Sequence, residues 1–372
     1  MNVKILRKID KYLIWFLIIL FFWLKYIFIW KKSKIIKKPK KTLVIRLWAL
    51  WSSLLTFPMI KQLEDYYWKW VQYDLLASTR NIGVYKNQWY FKNMYNLFSF
   101  KDMLKLLCCF KKYDIVIDTE EYFMISSFMS FWLWKINCWY TDIKIRWLAY
   151  NNWITYNDKQ HSCITCLDLI KTIWINYKIP ESLESLKYTD KDKIKVDKFI
   201  KELKYSRLIC MHTWLAETSK DRAWPNHKWI ELIQKVIDKD NEVKIILSWS
   251  KWEYESVQEI FLVLSDKYQD NVINICWMFG IFEFAYLLEK CDLMISNDTG
   301  PMHLAAAMWT KTIGLFWPNL PKRFWPYPLD KNVWLYKWAW KASINVHLGK
   351  FEEDIDCNID KIEVEDVLNK IQ

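Results

Sequence analysis

Short runs of aliphatic and β-branched residues recur along most of the chain, and several are followed by a stretch with helical spacing. Thr42–Leu47 is the first such run, and Ser53–Leu63 follows it as an expected helix. Tyr113–Asp118 (YDIVID) repeats the pattern of a buried strand. The alternation is denser in the second half. Arg207–Met211, Val243–Leu247, Val272–Ile275, Leu293–Ser296 and Thr312–Phe316 read as strands, with His227–Ile237 and Glu253–Leu264 among the helices between them. The first of these helices sets Trp229, Ile230, Ile233 and Ile237 at apolar positions. Buried strands alternating with helices imply an α/β protein with parallel sheets covered on both faces. The stretch 181–198, rich in Lys, Asp, Glu and Ser, divides two such halves. The expected organisation is an N-terminal segment 1–41, a doubly wound domain 42–185, a linker 186–205 and a second doubly wound domain 206–372, with a cleft between the domains. Ligands of such sheets bind beyond the carboxyl ends of the strands.

Tyr12 to Trp30 breaks the pattern. It is nineteen residues with one charge, Lys25, about the length of a membrane span. No small-residue cleavage site follows, only Lys31, Lys32 and Ser33, so it does not read as a cleaved signal peptide. Seven Lys lie between 31 and 41, against four Lys/Arg ahead of the stretch, which favours a cytoplasmic C-terminal body. Such a flank also attracts anionic lipid. Lys25 leaves interfacial insertion open beside spanning, and a buried core helix is the third placement. The expected location is the cytoplasmic membrane, with the body on the cytoplasmic side.

Charge follows the same division. Residues 1–41 hold twelve Lys/Arg and one acid, Asp10, and so carry +11 of the formal +12. A body near neutrality does not support a nucleic-acid-binding face or a basic scaffold. The nine Cys have no regular spacing and read as free thiols. Cys163 and Cys166 form one CxxC without a second pair, a weak metal or redox signal, and Cys108–Cys109 is expected in the core. The five His are scattered, and no metal site is expected.

Composition holds one anomaly. Glycine should make up roughly 7% of a chain; here there are 5 Gly in 372 residues, and 26 Trp. This suggests that most Trp letters stand where glycine belongs.

The most informative stretch is Cys291–Pro318, CDLMISNDTGPMHLAAAMWTKTIGLFWP. A strand ends at Ser296, Asn297-Asp298-Thr299-Gly300 turns, and Pro301 suits the first helical position. Free backbone N–H groups and the positive end of a helix then face the mouth of a cleft, a ready site for a diphosphate. Gly300 allows close approach, and His303 adds a donor. A plain N-cap by Asp298 with His303 packed inside would leave the same residues.

This stretch resembles glycosyltransferase family 9, which includes the ADP-heptose:lipopolysaccharide heptosyltransferases and reads nDTGpmHlAAAlGtp…lFGP here. The resemblance implies that Asp298, Thr299, Gly300 and His303, with Met302 as a weaker addition, bind the donor's diphosphate and sugar. Weaker matches extend over most of 42–370. LVIRLWALWSSLLTFPMI is similar to the family's opening VIRLGALGDxLLTTP. CMHTWLAETSKDRAWPNHKWIELI resembles the start of its second domain. IILSWSKWEYESV resembles a gG…E segment that would set Glu253 near the nucleoside, and DCNIDKIEVEDVLNKI the closing helix. The resemblance implies a GT-B fold, two Rossmann-like domains with the donor on the C-terminal one and the acceptor facing the N-terminal one. It also implies a nucleotide-diphosphate sugar as substrate, with heptose the best-known donor sugar, an envelope glycan or lipopolysaccharide core as acceptor, and no cofactor.

Where the family places Gly, this sequence has Trp48, Trp51, Trp214, Trp249, Trp277, Trp309 and Trp317, with Trp252 and Trp325 as further candidates. Trp224 and Trp229 instead match family Trp. The pattern fits a gene whose UGA codons mean glycine but were read as Trp.

Inverting transfer needs a base for the acceptor hydroxyl and stabilisation of the departing diphosphate. The family's proposed base is the Asp of GALGD, and here Ser52 stands there, followed by Ser53. A serine cannot be that carboxylate. The best substitute is Asp118-Thr119-Glu120-Glu121 at a strand end, with Glu121 or Glu120 as base and Ser52 kept as a hydrogen-bonding residue; solvated loop acids are the bland alternative. Lys220 and Arg222 precede WP, where the resemblance sets a cation against the phosphates, and Thr213 can add a hydroxyl. With helix dipole and cations in place, metal independence is expected. The departure at Ser52 also fits a non-catalytic sugar-nucleotide-binding relative.

Overall fold

Leu43, Val44 and Ile45 are consecutive and all fully buried. A strand that hides both faces needs a layer on each side, and the chain supplies two sheets of this kind. The computed structural model describes residues 38–47, 50, 52–67, 70–121, 123–140, 146, 149–213, 223–247, 254–264, 266–317, 319, 321–337 and 359–371, with Phe16, Ile19 and Trp23. It divides into a unit at Met1–Pro180 and a unit at Glu181–Gln372.

The first unit holds β1 (Lys41–Ile45), β2 (Gln72–Ala77), β3 (Asn93–Asn96), β4 (Tyr113–Asp118), β5 (Trp134–Tyr140) and β6 (Asn152–Ile154). They lie in the order 3-2-1-4-5-6, every pair parallel. The second unit holds β7 (Leu208–His212), β8 (Lys244–Leu247), β9 (Val272–Asn274), β10 (Leu293–Asn297), β11 (Thr312–Leu315) and β12 (Val333–Leu335). Its order is 12-11-10-7-8-9, again all parallel, and so repeats the first. This is the doubly wound dinucleotide-fold order. It has one place per sheet where the chain reverses direction, between β1 and β4 and between β7 and β10.

The strands read from sequence are all present. Edge strands β3 (NMYN) and β6 (NWI) carry no apolar run, because an edge strand is half open to solvent. The stretch 186–205, expected as a linker, contains the helix Asp190–Glu202. Thr189 donates to the Asp192 carboxylate from its backbone N–H and its hydroxyl, both at 2.7 Å. The helix docks through polar ends: Tyr286 donates to Asp197 at 2.9 Å, and Lys195 pairs with Glu283 at 3.5 Å. Val196 alone is buried, so little apolar periodicity was available to show the helix. Cys108 is exposed and Cys109 half-buried rather than in the core, because the helix Phe100–Leu107 ends just before them. Cys163 and Cys166 are buried on the helix Ser162–Lys171. Apart from Phe16, Ile19 and Trp23, all helical, the apolar N-terminal segment lies outside the described residues. No helix among the described residues is long and apolar enough to cross a membrane.

Among the described residues four non-glycine residues have positive φ, and three are Trp: Trp174 (64°), Trp277 (72°) and Trp309 (69°). Trp309 follows the helix Gly300–Ala307. Its N–H reaches Ala306 O and that of Thr310 reaches Ala305 O, the paired bonds of a left-handed helix stop that glycine normally fills. Trp174 N–H to Lys171 O and Ile175 N–H to Ile170 O repeat the motif. Trp277 is the third residue of a turn closed by Met278 N–H to Ile275 O, again a glycine position at positive φ. These three side chains are 51%, 59% and 53% exposed, so burial does not offset the backbone strain. Trp139, Trp224 and Trp229 behave oppositely. They are at most 1% exposed; the Trp139 indole donates to Glu120 O at 2.7 Å and the Trp224 indole to Ile362 O at 2.8 Å. Trp174 joins the expected glycine-like set although no motif pointed to it. Trp48, Trp51, Trp214, Trp249 and Trp252 lie outside the described residues.

Candidate active site

Both sequence-derived site regions fall at the two reversal points. In the second unit β10 lies between β7 and β11, with Ser296 opposite His212. Asn297 is buried and ties the neighbouring strand ends together. Its Nδ2 donates to Thr213 O at 3.0 Å, and its Oδ1 accepts the Trp224 N–H at 3.1 Å. Asp298 N–H donates to Leu315 O at 2.9 Å, and Asn319 Nδ2 donates to the Asp298 carboxylate. Thr299 is the N-cap, Gly300 the first helical residue and Pro301 the second, one place later than expected. First-turn amides have no intrahelical acceptor, so they present N–H groups beside Asp298 and Thr299 at the sheet's carboxyl edge.

His303 lies one turn in and is buried, with no hydrogen bond to Nδ1 among the described residues. Burial pushes its pKa down to about 4. It is therefore neutral near pH 7 and can donate one N–H without adding charge. The unfolded chain takes up this proton near the usual histidine value, the folded one only near 4. Stability of the unliganded protein should therefore fall as pH drops from about 6.5 towards 4, by up to about 3 kcal/mol, and be unaffected by this group above 6.5. His303→Gln should flatten that part of a urea-midpoint-against-pH curve.

Thr213 is buried, and its hydroxyl has no hydrogen-bond partner among the described residues, which fits a group held for a ligand. Met302 is different. It is fully buried, and its sulfur sits where a Cβ on Gly314 would come within 2.7 Å, so it packs the helix onto β11. Lys220, Arg222 and Glu253 lie outside the described residues.

In the first unit the reversal point joins Arg46 and Leu47, after β1, to Asp118–Glu121, ending β4. The backbone of 118–121 is tied down. Arg46 donates to Thr119 O at 2.7 Å, Asp118 Oδ1 accepts Glu120 N–H at 2.9 Å, and Trp139 holds Glu120 O. Glu120 is buried, accepts Leu47 N–H at 2.7 Å and faces Arg46 Nε at 3.9 Å. That carboxylate braces the strand ends. Glu121 is half-buried, has no hydrogen-bond partner among the described residues and lies within reach of the Arg46 charge. Ser52 is half-buried; Ser53 beside it is buried and accepts from Asn81 at 3.1 Å.

Behind this edge is a network that sequence reading missed. Asp118 is fully buried and accepts from Tyr150 OH at 2.5 Å and from Arg146 at 3.3 Å. Arg146 stacks over Trp139 at 4.1 Å, and Trp139 stacks on Tyr150. Burial raises the Asp118 pKa, with Arg146, Tyr150 and Ser126 opposing. Arg146 and Tyr150 come from a part of the chain with no readable motif. Arg46 stood in the quoted IRLW, but its pairing with Glu120 depends on β1 lying beside β4. Among the described residues no three His, Cys, Asp or Glu gather as a metal site.

Two units with the same doubly wound strand order, one carrying a helix N-terminus with a neutral buried histidine and the other a half-buried carboxylate at the carboxyl edges of their sheets, define the class: a doubly wound α/β protein. Residues 104–350 match the profile of glycosyltransferase family 9 (heptosyltransferase), and the chain belongs to that family. It is 28% identical over 241 residues to lipopolysaccharide heptosyltransferase 1 of Campylobacter coli, covering 58% of this chain and 64% of that one. It is 28% identical over 106 residues to lipopolysaccharide heptosyltransferase 2 of Escherichia coli K12, 28% of this chain and 30% of the relative. In both cases it spans less than two thirds of the relative's length. Among solved structures it is similar to a family 9 glycosyltransferase from Veillonella parvula (TM-score 0.75, 15% identity, 89% of this chain and 95% of that one). It is also similar to the ADP-heptose lipopolysaccharide heptosyltransferase II of Escherichia coli (TM-score 0.68, 16% identity, 89% and 97%). The shared fold carries the expected α/β architecture, two parallel six-stranded sheets.

Proposed function

We propose that the protein transfers a sugar from a nucleotide-diphosphate sugar to a cell-envelope glycan of the lipopolysaccharide type, with inversion and without a metal. Solved relatives include an Escherichia coli heptosyltransferase with ADP and one with ADP-2-deoxy-2-fluoro heptose, which supports ADP-heptose as the donor. The observation that carries the reading is the Asp298–His303 turn at the β7/β10 reversal point. The second unit holds the diphosphate at the first-turn amides of Gly300–Ala307, with His303 and Thr213 as neutral donors and Lys220 and Arg222 as cations. The first unit presents the acceptor hydroxyl to Glu121, which takes its proton as the oxygen attacks the anomeric carbon and the bond to the diphosphate breaks. Helix dipole and cations stabilise the leaving charge, so activity should survive chelation. Ser52, where the family has Asp, favours a second reading, a sugar-nucleotide-binding relative without turnover.

His303→Ala should weaken nucleotide-sugar binding by on the order of 1–3 kcal/mol, read by calorimetry. Unchanged affinity removes the site.

The N-terminal 1–41 is the membrane anchor in this reading, with the body on the cytoplasmic side; its nineteen-residue apolar stretch and seven following Lys support that. The exposed, positive-φ Trp residues are glycines in the native host, encoded by UGA. Support comes from the resemblance to the family's motifs at Trp277 and Trp309 and from the backbone at Trp174, Trp277 and Trp309.

A further inference from the structure

The helix Phe100–Leu107 is apolar on two sides. Leu106 is buried and Met103 half-buried against the sheet. Phe100, Leu104 and Leu107, spaced four and three residues apart, are exposed, and Phe110 in the following turn is exposed with them. Spacing of four and three puts these residues along one outer stripe. Lys101 and Lys105 are exposed one position further round. Lys111 and Lys112 close the segment, so 98–112 carries four Lys and one acid, Asp102. That acid turns inward and accepts Asn96 N–H at 3.1 Å. The outer face therefore offers large apolar side chains among cations, on a body that is otherwise near neutral.

Its position in the fold adds a second observation. The turn after Leu107 enters β4 at Tyr113, beside the start of β1. Lys40 and Lys41 N–H donate to Asp114 at 2.7 and 3.2 Å, so the chain arriving from the basic flank 31–41 enters the body next to Lys111 and Lys112. At its other end the helix follows β3, and exposed Phe98 lies just past that strand's carboxyl end, the edge that also carries Glu121.

We propose that the outer face of Phe100–Leu107, with Phe110 and the flanking lysines, docks on the surface of an anionic phospholipid bilayer. Apolar side chains enter the headgroup boundary and lysines meet lipid phosphates, the arrangement of an interfacial amphipathic helix. The body then touches the membrane directly, independent of the segment 12–30, with its sheet reaching from the point of chain entry towards the acceptor edge. Charge selects lipid over a second copy of this chain: two copies meeting through this face would bring eight lysines together.

The test uses the full chain with an environment-sensitive fluorophore on Cys108, the exposed native thiol of this segment, its placement confirmed by peptide mass. With vesicles of phosphatidylcholine plus phosphatidylglycerol the emission should shift to the blue. The shift should be several-fold smaller on phosphatidylcholine alone, and lost in Lys101→Glu/Lys105→Glu even when that variant still pellets with vesicles. The same fluorophore on Glu259→Cys, exposed in the second unit, should not shift. Pelleting without any shift at Cys108 would show attachment through the N-terminus only and overturn the proposal. So would a shift that grows with protein concentration in the absence of lipid, which is self-association, or one equal on both vesicle types and kept in the double variant.

Discussion

Replacing Trp174, Trp277 and Trp309 by glycine is expected to stabilise the protein strongly. A non-glycine residue in the left-handed region costs roughly 1–2 kcal/mol. Three such sites amount to about 3–6 kcal/mol, a large part of the 5–15 kcal/mol typical of a folded domain. None of the three indoles recovers this by burial, since each is more than half exposed. The thermal midpoint should rise on the order of 10 °C for the second unit, which holds two of the sites. The gene supplies the sharper reading. UGA is expected at Trp174, Trp277 and Trp309 and UGG at Trp139, Trp224 and Trp229, where the rings are buried and two of the indoles hold backbone carbonyls. Peptide mass spectrometry on protein from the native host should find glycine at the first three. UGG there, or glycine at Trp224, ends the recoding idea.

In the glycine-restored protein, Glu121→Gln should lower turnover about 10²–10⁴-fold and leave donor affinity nearly unchanged. The reason lies in the division of labour at the β1/β4 reversal. Glu120 is engaged by Leu47 N–H and faces Arg46, whereas Glu121 has no hydrogen-bond partner among the described residues. Glu120→Gln should therefore act mainly on stability, through the loss of a charge beside Arg46, where either acid had been an equal candidate by sequence. Asp118→Asn is a poor probe of chemistry, because it leaves the buried Arg146 without its carboxylate, a loss of about 3–5 kcal/mol. Transfer assays and calorimetry on the same variants separate the cases. If Ser52→Asp raises activity and both glutamate variants transfer as before, the base is not at 121 and the binding-protein reading gains.

The alternation of apolar runs and helical spacings determined the α/β class by itself. It did so because interior strands of a parallel sheet must be apolar on both faces, as Leu43–Ile45 and Leu293–Ile295 are. The DTGPMH turn was legible for a similar reason: a helix start with an anion site needs particular residues in consecutive order. Strands β2, β3, β5, β6 and β12 and the helix Asp190–Glu202 were not legible. Edge strands β3 and β6 and the helix make contacts that are polar or half exposed, so burial leaves no period to read. By contrast, β2 (QYDLLA) and β5 (WKINCWY) lie inside the sheet but break their apolar runs with Gln72, Asp74, Lys135 and Asn137. What tertiary structure alone decided is which carboxylate is available. Glu120 and Glu121 are chemically alike and adjacent. Only the pairing of β1 with β4 brings Arg46 and Leu47 against the first, and only the packing of Arg146, Trp139 and Tyr150 behind Asp118 anchors the loop that carries the second. Similarly, the glycine shortage was visible in composition, but Trp174 lies in no motif. Its membership came from a backbone dihedral, set by the way its helix stops.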